Sequence, residues 1–182
     1  MVYIHVAGRA REDAGAFQRM AKEWIEKLAE DIRTKNHEAA EEYGRKQHYA
    51  EITSTRGREF FVEFVLCLQE NIDALRKRLQ GDPASCDIVV ENSKPDEVKI
   101  VRARFPWVDA RITHEDESII LDYVKGPGLA GDPKMDRKTC AFAFRVAYND
   151  ALFVEEAFVG PPQRYEKPEQ LARHMTELLF CA

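Results

Sequence analysis

Gly126, Gly128 and Gly131 stand at the spacing G-x-G-x-x-G. In a dinucleotide site that spacing seats a pyrophosphate on the free N–H groups of a following helix. Here Asp132-Pro133 follows and a two-residue alternation resumes at Thr139, so no helix N-terminus is offered. The glycines read instead as part of a flexible hairpin loop over 126–138. His114-Glu115-Asp116-Glu117 is the densest acidic group, and carboxylates in such a run can bind a divalent cation. Its place between Ile112 and Ile119 makes it a solvated hairpin turn. The histidines at 5, 37, 48, 114 and 174 show neither HxH nor HExxH spacing, and no metal site is expected. No GxSxG elbow occurs. No catalytic residue and no cofactor are therefore assigned.

Three polar residues are placed to face a pocket between sheet and helices: Arg145, Tyr148 and Glu156. Strand alternation turns one of Glu155 and Glu156 inward, and that residue is expected to meet Arg145 on the neighbouring strand across the Asn149-Asp150 turn. A second group, Arg104, Trp107 and Arg111, combines an aromatic anchor with arginines. Trp107 falls on the face opposite Val108, Ala110 and Ile112, which suits a protein-binding hot spot or packing beneath a helix. Arg45, Lys46, His48, Arg56 and Arg58, with Tyr43 and Tyr49 interleaved, form the most basic stretch. Glu41, Glu42, Glu51 and Glu59 dilute it to an ordinary solvated turn.

The elements that carry these residues follow from periodicity. Phe17, Met20, Ala21, Trp24, Ile25, Leu28 and Ile32 recur at helical spacing and predict a long helix over 13–43, ending near Gly44. Phe61, Phe64, Val65, Leu68, Ile72, Leu75 and Leu79 predict a second helix over 59–80, stopped by Gly81 and Pro83. Ser54-Thr55-Arg56-Gly57 reads as the turn between them. A hairpin of 48–55 with 58–64 competes, because Phe60-Phe61-Val62 favours strands. From Cys86 the period becomes two. Ile88 and Val90, Val98 and Ile100, Val108 to Ile112, Ile119 to Tyr123, and Cys140 to Tyr148 alternate with polar or small neighbours. Short turns such as Asn149-Asp150 join them, which predicts an antiparallel meander of five or six strands over 86–159. Pro168 opens a C-terminal helix over 167–180. Helices, then strands, then a helix is an α+β order, read as a single domain over 1–182.

The composition fits a globular chain: 45% hydrophobic and 32% charged over 182 residues, with a net charge of −5. Both signs of charge are spread along the whole chain, which disfavours a nucleic-acid partner. The apolar run near residue 60 is broken by Glu63, so no membrane span is expected. The start, Met-Val-Tyr-Ile-His, has no basic leader, and no signal peptide is expected. Cys67, Cys86, Cys140 and Cys181 form no close pair, which predicts reduced thiols and a cytoplasmic location. The expected function is a non-enzymatic intracellular interaction or structural domain with a protein partner. A homodimer built on the long helix is the favoured form of that partner. The alternative is a small-molecule-binding protein or enzyme with a pocket between sheet and helices.

Overall fold

The computed structural model describes residues 6–81, 88–103, 107–126, 137–156 and 162–181, without the side chains of 6–21 and of Ser93. Helix α1 runs from Val6 to Arg78. Seven strands follow: β1 Ile88–Lys94, β2 Glu97–Arg102, β3 Trp107–Glu115, β4 Ser118–Gly126, β5 Lys138–Val146, β6 Leu152–Glu156 and β7 Arg164–Tyr165. Helix α2 closes the order with Pro168–Phe180. Each strand pairs antiparallel with the next, so the sheet order is the chain order. This is the expected α+β meander, with seven strands where the periodicity counted five or six. The chain forms two compact units, Met1–His48 and Tyr49–Ala182.

The helical part differs from the reading in detail. Gly44 does not end the helix, and 54–57 is not a turn. Neither arm of the competing hairpin over 48–64 forms. Side-chain hydroxyls that favour turns bond back to the helix instead: Thr53 Oγ1 donates to the Tyr49 carbonyl at 2.8 Å and Ser54 Oγ to that of Glu51 at 3.0 Å. The loop over 126–138 lies almost wholly outside the described residues, as do Cys86, Arg104, residues 157–159 and the side chains of Phe17, Met20 and Ala21.

In the Tyr49–Ala182 unit, one face of the sheet carries the core. Ile100, Val108, Ala110, Ile112, Ile119, Leu121, Phe142, Phe144 and Val154 are buried there. They cluster with Phe60, Phe61, Phe64, Leu68 and Ile72 of α1, and with Leu171, Ala172, Met175 and Leu179 of α2. Gly57 makes the α1 approach close: a Cβ there would stand 3.3 Å from the Phe144 ring. Polar contacts fasten the ends. Arg56 Nη1 donates to the Asp150 carbonyl at 2.8 Å, in the turn between β5 and β6 where Asp150 has φ 59°. Arg76 donates to the Ile88 carbonyl through Nε, at 3.1 Å, and through Nη2. Lys125 Nζ donates to the carbonyls of Leu178 and Cys181 at 2.8 and 2.9 Å, placing a cation at the C-terminus of α2. At the other end of α2, Gln170 Oε1 accepts from the N–H groups of Glu166 and Lys167.

No helix among the described residues is long and apolar enough to cross a membrane.

Candidate functional site

Strand register decides where the expected pocket residues go. Phe142 lies opposite Glu156, and Arg145 opposite Phe153. Directly opposed residues share a face. Glu156 therefore joins Phe142 on the core face, while Arg145 stands on the other face, where its Nε meets Glu155 Oε2 at 3.6 Å. The inward glutamate is therefore not the partner of Arg145, as the alternation had suggested; the outward Glu155 is, because Arg145 lies on the face away from the core. Tyr148 is fully exposed in the turn after β5. The three residues are thus not brought together.

Trp107 and Arg111 share the face opposite the core, four residues apart along β3. The indole is only 9% exposed, whereas Arg111 is exposed between Lys99 and Asp122. Arg104 lies outside the described residues. The basic stretch from Arg45 to Arg58 has no turn to gather it, because that segment is helical.

What the sequence reading missed is the company of Glu156. α2 brings His174 over the sheet, with Nε2 at 3.9 Å from Glu156 Oε2, an ion pair whenever the imidazole is protonated. Tyr165 of β7 stacks against it, ring centroids 5.3 Å apart, and Phe142 lies 6.2 Å from each ring. His174 Nε2 and the Tyr165 hydroxyl are both buried with no hydrogen-bond partner among the described residues. Burial, then the Glu156 carboxylate and Cys140, hold the Tyr165 phenol far above its ordinary pKa. Burial and Glu156 also push the Cys140 thiol up, and burial with Cys140 and Glu156 raises Tyr123. Phenols and thiol therefore stay protonated at neutral pH, and none of them is an activated nucleophile. A cleft of about 440 Å³ lies between β7 and α2, with Gln163, Tyr165, Arg173 and His174 among its walls. The signal for this cluster was weak in one dimension: alternation points Glu156 inward, but a lone histidine on α2 does not announce which strand it covers.

The Met1–His48 unit presents a different surface. Trp24 is 65% exposed, Ile25 56%, Leu28 42%, Ile32 50% and Tyr43 64%. At about 100° per residue, Ile25, Ile32 and Tyr43 share one line along the helix, flanked by Leu28, Ala29, Ala39 and Ala40. Ion pairs at i,i+4 decorate the helix: Lys22–Glu26 at 4.0 Å, His37–Glu41 at 3.3 Å and Glu42–Lys46 at 2.7 Å. The Lys46 ammonium holds the Glu42 carboxyl below its ordinary pKa.

Comparison with protein-family models, with curated proteins and with solved structures found no match to this chain.

Proposed function

We propose that the protein is a non-enzymatic protein-interaction module, and that the helical face from Trp24 to Tyr43 is its working surface. The observation that carries this reading is the exposure of Trp24, Ile25, Leu28, Ile32 and Tyr43 on a helix within one compact unit. Helices in water draw most of their stability from packing an apolar face, and propensity alone is marginal. A face of this kind, with a tryptophan and three large aliphatic side chains in the open, gains most when a partner covers it. The Tyr49–Ala182 unit supports the same reading. Its sheet–helix interface is filled by side chains such as Phe64, Leu68, Ile112 and Leu171 at 0% exposure.

A photo-crosslinking residue in place of Leu28, with the same residue at Tyr148 as control, tests the proposal in intact cells. A discrete adduct at 28 that is absent at 148 is expected. Equal labelling from both positions, or none from 28, overturns the reading.

A second reading has its own observation. The Tyr165 hydroxyl and His174 Nε2, which have no hydrogen-bond partner among the described residues, lie near Glu156 and the cleft between β7 and α2, a place for a small polar ligand. This reading expects some small molecule to raise the thermal midpoint of the native chain and to lose that effect in Glu156→Gln. A library of polar metabolites that leaves the midpoint unmoved argues against it.

A further inference from the structure

We propose that the cleft between β7 and α2 takes a small organic cation by its primary ammonium group, held by Glu156, His174 and Tyr165. This rests on the reading of that cleft as a place for a small polar ligand, and it names the ligand's chemistry.

The first argument is the pattern of acceptors. Glu156 Oε2 and His174 Nε2 stand 3.9 Å apart, too far for a hydrogen bond between them. One donor atom can stand about 2.9 Å from both. The Tyr165 ring stacks on that of His174, centroids 5.3 Å apart, and its hydroxyl is a third acceptor. That hydroxyl and Nε2 are buried with no hydrogen-bond partner among the described residues. Buried polar atoms left unpaired are costly, and a ligand that satisfies them recovers that cost. A primary ammonium carries three N–H donors and accepts nothing, so it matches three acceptors. A ligand hydroxyl donates once and cannot serve all three.

The second argument is charge. Among the described residues Glu156 has no lysine or arginine in ion-pair reach, only His174. Its carboxylate, after burial, raises the pKa of both Tyr165 and Cys140, as an uncompensated negative charge does. The cleft walls do not supply the missing cation. Arg164 lies over the Phe153 ring at 3.8 Å, on the sheet face away from the core, and pairs with Glu166 at 3.3 Å. That leaves Arg173 against Glu169 and Glu177. The Tyr165 and Phe142 rings, 6.2 Å apart, add their attraction for a positive charge. No group of three His, Cys, Asp or Glu side chains among the described residues is placed to hold a metal ion, which leaves an organic cation.

The third argument is access. Glu156 shares the core face with Tyr165 through Val154, and its N–H donates at 3.1 Å to the carbonyl of Gln163 on the cleft wall. The side chains of Glu156 and His174 are 23% and 24% exposed. A turn of the His174 imidazole opens the buried acceptors to a ligand in the cleft, where the rest of the cation lies.

The test uses the full chain, isotopically labelled at the histidine nitrogens. n-Butylammonium should bind saturably, raise the thermal midpoint and move the His174 Nε2 resonance as that atom accepts a hydrogen bond. Butanol and butyrate, matched in length, should do neither. Tetramethylammonium, a cation with no N–H, should bind several-fold more weakly. Glu156→Gln keeps the size and removes the charge, and should weaken n-butylammonium roughly tenfold or more. Tyr165→Phe should weaken it several-fold, and circular dichroism checks that both variants fold. Undiminished binding in Glu156→Gln overturns the proposal, as does tetramethylammonium binding as tightly as n-butylammonium. Saturable binding of butanol or butyrate with none of n-butylammonium overturns the ammonium and leaves the reading of the cleft standing. No response of His174 to any of these probes, together with a metabolite library that leaves the midpoint unmoved, overturns both.

Discussion

The Phe144 ring lies against Gly57 so closely that a Cβ on the glycine would sit 3.3 Å from it. The ring has little room to yield. It is 4% exposed and meets Phe60 edge-on at 6.0 Å and His114 at 5.8 Å. A helical glycine costs about 1 kcal/mol relative to alanine, a gain that the close contact with the ring would offset.

That relationship sets the first prediction. Gly57→Leu should destabilise the Tyr49–Ala182 unit by about 1–3 kcal/mol, the usual cost of overpacking. Gly57→Ala should fall near neutral, its helix-propensity gain offset by the contact with Phe144. Urea unfolding of both variants checks the order, and a Gly57→Leu protein as stable as the parent would show that α1 stands off the sheet.

His114 gives the pH dependence. Burial between Phe61 and Phe144 pushes its pKa below the ordinary value; Asp96, at 3.8 Å, and Asp116 oppose the shift, and Arg58 adds to it. The unfolded chain therefore takes up this proton more readily than the folded one. Stability is full above the unfolded value of about 6.5 and declines as the pH falls below it. His114→Phe should remove that part of the slope. Unfolding free energies at pH 7.5 and 5.5 should differ less in the variant than in the parent, and an equal or larger difference would contradict the assignment.

The thiols should react in a fixed order. Cys181 is exposed. Burial raises Cys140, with Glu156 adding to it, and burial raises Cys67, with Glu169, Glu70 and Glu63 adding. Under native conditions at pH 8 a maleimide should label Cys181 first and Cys67 and Cys140 much more slowly. Peptide mapping over time reads the order directly, and fast labelling of Cys140 would mean that β5 is not packed under α2.

Lys125 should matter to α2 out of proportion to its place on a strand. Lys125→Met keeps the aliphatic stem and removes the two hydrogen bonds to the last carbonyls of the helix. A loss of about 1–2 kcal/mol is expected for charged donors at a helix C-terminus. Hydrogen exchange should accelerate at the Cys181 amide, which donates to Glu177 at 2.8 Å, while that of Leu171 stays slow.

Much of this architecture is legible in one dimension because its signals are local. The alternation of Cys140, Phe142 and Phe144 against Ala141, Ala143 and Arg145 follows from the pleat, and neighbours across short turns pair antiparallel. Pro168 and the stripe Leu171, Ala172, Met175 and Leu179 mark α2 with both its start and its buried face. Local signals fail where two states cost nearly the same. Gly57 is tolerable in a helix and at home in a turn, and its packing on Phe144, with the bonding of Thr53 and Ser54 back to α1, goes with the helix there. Arg164–Tyr165 is too short to show a period and becomes a strand only because β6 is there to pair with it. The juxtaposition of Glu156 with His174 and Tyr165 needed α2 to lie across β6 and β7, a choice made by burial of apolar faces. Sequence by itself determined the periods, the order of elements and the apolar stripe of α1. Tertiary structure alone decided which polar groups meet, because contact between residues far apart in the chain is set by the packing of whole faces and leaves no local trace.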